Sequence, residues 1–186
     1  MRRIAFTAAA VFALFAPPLA AQEHEPLEWQ EYAYPELGIA KEFPASPQRQ
    51  TGKYQTEVVG ENAVPSVVYF VDFGDLIFQM TVVDLRAPEH VLRAANILAE
   101  CIFLAESAGL PLANLPLDVK DDTQFGVHGR VVSVDLNYNL GVRQTACLHK
   151  DGRLYKMEAT MVHPEEEDGE AIARFVTSQR FELRKP

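Results

Sequence analysis

A pair of apolar runs joined by a turn constrains this fold more than anything else in the chain. Val67-Val68-Tyr69-Phe70-Val71 has no polar residue on either side, and Leu76 to Val83 runs back after Phe73-Gly74-Asp75. β-Branched and aromatic side chains fill the first run and much of the second, in which only Gln79 and Thr81 are polar, and this suits a pleated backbone. Alternate residues of a strand point to opposite faces, so a run that is apolar throughout has to bury both of them. The hairpin is therefore not the solvent wall of a two-layer fold. It predicts a central sheet with a layer on each side.

The remaining segments must supply those layers. Trp29 to Tyr34 alternates, Pro35-Glu36-Leu37-Gly38 reads as a turn, and Ile39 to Phe43 closes a first hairpin before Pro44-Ala45-Ser46-Pro47. Gln48 to Pro65 is polar, with a short strand expected at Tyr54 to Val59 and a break at Gly60-Glu61-Asn62. Pro88 to Ala108 is the longest helix candidate, with Pro88 suited to its first turn and Gly109 and Pro111 to its stop. Val91, Ala94, Ala95, Leu98, Cys101, Ile102 and Ala105 fall on one stripe of it, which predicts that this stripe lies on the sheet. Leu110 to Asp122 reads as a loop with a short strand near Leu117 to Lys120. Val127 to Leu136, Val142 to His149 and Leu154 to Met161 form a meander, and Asp151-Gly152 is a two-residue hairpin signal. Glu165 to Ser178 is a second helix, greasy at Ile172, Phe175 and Val176. Its acidic start, Glu165-Glu166-Glu167-Asp168 behind Pro164, fits a helix dipole and lacks the alternating ligands of a calcium loop.

Hairpins dominate, so the sheet is expected to be mostly antiparallel. The reading is a single α+β domain over residues 22–186, a twisted antiparallel sheet flanked by helices on both faces. Residues 1–21 read as a signal peptide. Arg2 and Arg3 precede the apolar run Ile4 to Ala16, and Pro17-Pro18-Leu19-Ala20-Ala21 supplies a break and small residues for the peptidase. The apolar run is shorter than the ~20 residues of a bilayer span. No later segment reads as transmembrane, so the mature protein is expected in the periplasm or outside the cell.

Charge narrows the partners. The chain has 17 basic and 26 acidic residues for a net −9, and the signal holds two of the basic ones and no acid, leaving −11. Such a surface repels phosphate backbones, which argues against nucleic acid.

The stretch Tyr34-Pro35-Glu36-Leu37-Gly38-Ile39 leading into Phe43-Pro44-Ala45-Ser46-Pro47, the strand pair around Tyr69 and Phe78, and the closing Phe175-Val176-Thr177-Ser178-Gln179-Arg180-Phe181 resemble small secreted domains of the PsbP and Mog1-like kind. The resemblance implies an α/β/α sandwich and a binding or accessory role. It implies no site residues.

The sequence carries no Gly-x-Ser-x-Gly elbow, no His-Glu-x-x-His, no Cys-x-x-Cys and no Gly-rich phosphate loop. No catalytic residue and no cofactor is assigned. Of the five histidines, His128 and His149 flank the open end of one expected hairpin. If Leu136 faces Arg143, then Arg130 faces His149 and His128 lies just beyond. Two imidazoles on one sheet face would contact a ligand, hold a metal or bind a carboxylate; equally, they are half-exposed strand residues. Two cysteines in an oxidising compartment suggest one disulfide, Cys101 to Cys147, pinning helix to sheet; the alternative is two buried thiols. The function expected is a secreted or periplasmic non-catalytic domain that binds a protein, polymer or small ligand. The alternative is a small hydrolase or metal-dependent enzyme using His128 and His149, with Asp135 nearby.

Overall fold

The computed structural model describes residues 27–54, 64–86, 117–124, 127–136, 141–162 and 168–181. Nine strands and one helix lie within them: β1 (Gln30–Tyr34), β2 (Ile39–Phe43), β3 (Gln48–Tyr54), β4 (Val64–Asp72), β5 (Leu76–Asp84), β6 (Leu117–Gln124), β7 (Val127–Leu136), β8 (Gly141–Lys150), β9 (Arg153–Met161) and α1 (Asp168–Thr177). For β6 and β7 the backbone and its register carry the description.

Seven strands form one sheet in the order β3-β4-β5-β9-β8-β7-β6, every neighbour antiparallel. The hairpin of Val67–Val71 and Leu76–Val83 is β4–β5. Its turn uses Gly74 at φ 88°, whose amide donates to Asp72 Oδ1 at 2.8 Å. The β8–β9 turn puts Asp151 at φ 50° and Gly152 at φ 71°, the left-handed pair of a type I′ hairpin. β1 and β2 form a separate two-stranded sheet.

The helix side of the sheet is a continuous apolar core. Leu76, Phe78, Met80 and Val82 of β5 meet Tyr155, Met157, Ala159 and Met161 of β9, with Tyr69 and Val71 of β4 and Ala146 and Leu148 of β8 alongside. α1 lies over it through Ile172, Phe175 and Val176, and the β1–β2 hairpin adds Tyr34, Ile39 and Phe43. Ring contacts lock the layer: Phe78 to Phe175 at 5.1 Å, Phe43 to Phe175 at 5.2 Å and Trp29 to Phe78 at 5.5 Å. The hairpin is tied to the tail by a backbone pair, in which the Ala40 amide donates to Arg180 O at 2.8 Å and the Arg180 amide donates to Ala40 O at 2.9 Å.

The other side of the sheet buries a smaller apolar group, Val64, Val83, Leu85, Cys147 and Leu154. The β4–β5 hairpin thus buries apolar residues toward both sides, as its sequence demanded, while β8 and β9 add only Cys147 and Leu154 to the smaller group.

Four expectations need correction. The flanking by helices on both faces is not seen: among the described residues there is one helix, on one face, while the Pro88–Ala108 candidate lies outside them. A strand was expected at Tyr54 to Val59, of which residues 55–59 lie outside the described residues, and none over the segment before it. β3 is Gln48–Tyr54, and since it is exposed along almost its whole length it has no apolar alternation to reveal it. The short strand near Leu117 extends to Gln124, which makes the meander four-stranded. The β7–β8 register is also tighter than expected: Leu136 pairs with Gly141, and Arg130 with Cys147. The cause is local. Gly141 adopts φ 139°, and a Cβ there would sit 1.8 Å from Met161 O, so glycine lets pairing begin one residue earlier than Val142.

Candidate functional site

The corrected register bears directly on the two histidines. Gly129 and Leu148 form the last pair of the ladder, and His128 and His149 are the next residues of the two strands beyond it. His149 lies on the face away from α1, since its partner Leu154 belongs to the smaller cluster there. Burial lowers its pKa below the ordinary imidazole value, and the nearby Asp151 charge opposes that shift. Asp135 does not join the pair. It sits across from Val142, seven residues along the strand from His128 and so ~23 Å away. Tyr155 does not join it either, because its side chain points to the helix core and its hydroxyl donates to Leu37 O at 2.7 Å. Among the described residues no three His, Cys, Asp or Glu side chains are grouped to hold a metal ion.

The same face carries a row of polar groups across the central strands. Gln79, Glu158 and Thr145 are register partners, as are Thr81, Lys156 and Cys147. Lys156 Nζ lies 2.7 Å from Glu158 Oε2, and both side chains are largely buried. Thr145 Oγ1 donates to the same carboxylate oxygen at 3.4 Å, Gln79 Nε2 to Thr81 Oγ1 at 3.1 Å, and Arg143 Nε to Thr160 Oγ1 at 3.0 Å. Each polar group here has an internal partner, which is how buried polar atoms are normally held. The row is built as a satisfied network.

Lys41 presents a different arrangement. Its side chain is fully buried under α1. Nζ donates to Ser178 Oγ at 3.1 Å and Gln179 Oε1 at 3.0 Å, and it lies 4.2 Å from the centre of the Phe175 ring. The ammonium thus faces two oxygen acceptors and one π face at the C-terminal end of a helix, where positive charge is favoured. Burial nevertheless holds its pKa well below the ordinary lysine value, against a smaller opposing effect of Glu42. Lys41 therefore ties the β1–β2 hairpin to the end of α1 rather than offering an amine to solvent.

Among the described residues, the solvent-facing basic side chains outside any ion pair or ring contact are Arg49 and Lys53 of β3. This strand is the outermost of the seven-stranded sheet, and every residue from Gln48 to Lys53 is exposed. Its ladder to β4 is unbroken over seven consecutive pairs, with no bulge. Arg49 and Lys53 stand two pleats apart on one face, ~13 Å along the strand. Neither takes part in the ion pairs found among the described residues. No acid occurs between Glu42 and Glu57, an exception in a chain of net −9. The sequence reading missed these two residues because it took the segment for polar connection; that acid-free basic interval was the available signal.

Cys147 is fully buried on the face away from α1, whereas Cys101 lies outside the described residues. The signal-peptide segment also lies outside them. No helix among the described residues is long and apolar enough to cross a membrane.

No family model matches the chain, and no curated protein matches it in sequence. A solved structure matches in fold: cyanobacterial PsbP (CyanoP) from Synechocystis sp. PCC 6803, at 11% identity and a TM-score of 0.52, covering 89% of this chain and 99% of that one. Identity that low speaks to fold alone. The chain resembles PsbP-like domains in the course of its antiparallel sheet and the helix laid on it.

Proposed function

We propose that this chain is a secreted or periplasmic binding or accessory domain, made with a signal peptide over residues 1–21 and acting as one domain over residues 22–186. The observation that carries this reading is the exposed, basic and regularly paired edge strand β3 in an otherwise acidic chain. The PsbP-like fold supports it. A net acidic surface disfavours nucleic acid as partner and leaves a protein, polymer or small ligand.

Two structural proposals accompany it. Residues 88–108 form a helix on the sheet face opposite α1, and Cys101 on that helix pairs with Cys147. Their support is that Cys147 is buried on that face among Val64, Val83, Leu85 and Leu154, an apolar patch suited to a helix stripe. The bond would close a loop of about 45 residues and contribute ~3–4 kcal/mol. Non-reducing peptide mapping of exported protein should find the Cys101–Cys147 link; free thiols at both positions would refute it.

A second reading keeps the enzyme alternative, because His128 and His149 are the next residues of β7 and β8 beyond their last pair and burial lowers the His149 pKa, which favours the neutral form that ligates a metal or accepts a proton. One experiment separates the two. Elemental analysis of the wild-type protein and a hydrolase substrate panel are run beside the H128Q/H149Q variant. The binding reading predicts no stoichiometric metal, no turnover that depends on the pair, and a stability change within about 1 kcal/mol. A retained metal, or activity lost only in the variant, would establish the enzyme reading instead. Intact mass of the exported protein tests the signal: the chain should begin at Ala21 or Gln22, and retention of Met1 would refute cleavage.

A further inference from the structure

We infer that β3 is a docking strand for an extended acidic segment of a partner protein, which joins the sheet as an eighth strand. The inference rests on the binding-domain reading and names its partner chemistry. Three observations carry it. First, among the described residues β3 has a neighbour on one side only, so alternate residues between Gln48 and Tyr54 turn their backbone N–H and C=O groups outward. Gln48 to Lys53 are all exposed, and no other described strand pairs with that edge.

Second, the edge lacks the usual devices that prevent pairing. Sheet edges are commonly kept short, bulged, or interrupted by proline. β3 runs seven residues in unbroken register, with no proline within it. Charge alone guards it, and charge of one sign guards against one class of partner only. A basic edge repels a basic strand and admits an acidic one.

Third, the charges are placed to read a partner strand. Arg49 and Lys53 lie on one face, each on the outermost strand, beside Tyr69 and Pro65 of β4. A strand laid alongside brings its own side chains to within ~5 Å of theirs, and opposite charges at that spacing stabilise the pair. The complementary partner carries carboxylates on one face, four residues apart. Main-chain bonds along the edge supply affinity, and the two basic side chains supply selection.

The probe is a fluorescent peptide of about ten residues, alternating threonine and glutamate, with a threonine–lysine peptide as control. Fluorescence anisotropy should show binding of the acidic peptide only, weakened roughly tenfold or more in the R49E/K53E variant. Amide chemical-shift changes should map to Gln48–Tyr54. Two N-methylated versions of the acidic peptide, carrying methyl groups on one or the other alternate set of amides, isolate strand pairing from mere attraction. One version should lose binding and the other keep it.

Equal binding of both methylated forms, binding indifferent to R49E/K53E, or shifts mapped elsewhere would overturn the inference. A concentration-dependent rise in mass of the protein alone, lost in the variant, would overturn it in favour of a second copy of this chain. The variant changes only exposed residues, and its circular dichroism spectrum checks that it folds. Failure to bind the peptide, in a protein without His-dependent turnover, would remove the docking strand and spare the binding-domain reading. Turnover dependent on His128 and His149 would remove that reading whatever β3 does.

Discussion

The two sides of the central sheet are cut from the same strands and solve burial in opposite ways. On the helix side, β5 and β9 present Phe78, Met80, Tyr155 and Met157 to an apolar layer closed by α1 and the first hairpin. On the other side, the intervening residues of those strands are Gln79, Thr81, Lys156 and Glu158, held by an ion pair and hydrogen bonds. Area removed from water drives the first arrangement, at ~25 cal/mol per Å² of apolar surface. The second returns little net energy, because desolvating a charged pair costs about as much as its attraction returns. The lesson is that stability should depend on one face and specificity of packing on the other.

Substitution at Phe175 puts the largest strain on this comparison. Its ring is fully buried and touches both Phe43 and Phe78. F175A should lose ~3–5 kcal/mol in urea unfolding. A loss below 1 kcal/mol would mean that the helix side is not the main source of stability.

Lys41 sharpens it next, as the fully buried charged side chain on the apolar side among the described residues. K41A leaves Ser178 Oγ and Gln179 Oε1 without that donor and opens space beside Phe175, which should cost about 2–4 kcal/mol. K41M fills the space and should stay within about 1 kcal/mol of wild type near neutrality. The pH dependence has a definite sign. With the folded pKa below the unfolded one, the unfolded chain binds more protons in the interval between them, so wild-type stability rises with pH there. K41M should lack that rise up to ~10.4, the ordinary lysine value. Identical pH profiles would show that burial does not depress Lys41.

The polar side gives smaller numbers. E158Q leaves Lys156 without its anion and should cost about 1–3 kcal/mol, whereas K156M/E158L should be close to neutral. If the double variant lost as much as E158Q, the ion pair would be a net source of stability and the contrast between the faces would fail.

Two tyrosines make the smallest test. The Tyr155 hydroxyl donates to Leu37 O, while the Tyr34 hydroxyl is buried with no hydrogen-bond partner and burial raises its pKa. Y155F should lose ~1 kcal/mol, and Y34F should be neutral or stabilising by about the same amount, in paired thermal or urea melts.

What could be read from the sequence followed the strength of its burial signals. Val67 to Val71, Leu76 to Val83 and the Asp151-Gly152 turn were legible because apolar runs and left-handed turn residues each admit few structures. α1 was legible from Ile172, Phe175 and Val176, although its described start, Asp168, comes three residues after Glu165. β3 was not, because an exposed edge strand needs no apolar face and Gln-Arg-Gln-Thr-Gly-Lys reads as connection. The placement of the histidines depended on where pairing begins after a turn, and a single glycine at φ 139° moved it. Lys41 fell within the expected second strand, but nothing local reveals that its acceptors lie 137 and 138 positions away.

That span has a consequence for how the molecule comes into being. The hairpin over the apolar core is stitched to residues 178–180, so the first described strands acquire their lid only when nearly the last residues are available. A chain emerging from the ribosome could assemble the β4–β5 pair and later the meander, yet Ile39 and Phe43 would stay wet until Phe175 and Arg180 arrived. Such distant closure folds slowly relative to local contacts, because the loop entropy is spent before the contact forms. During that interval the β1–β2 hairpin has no cover for Ile39 and Phe43.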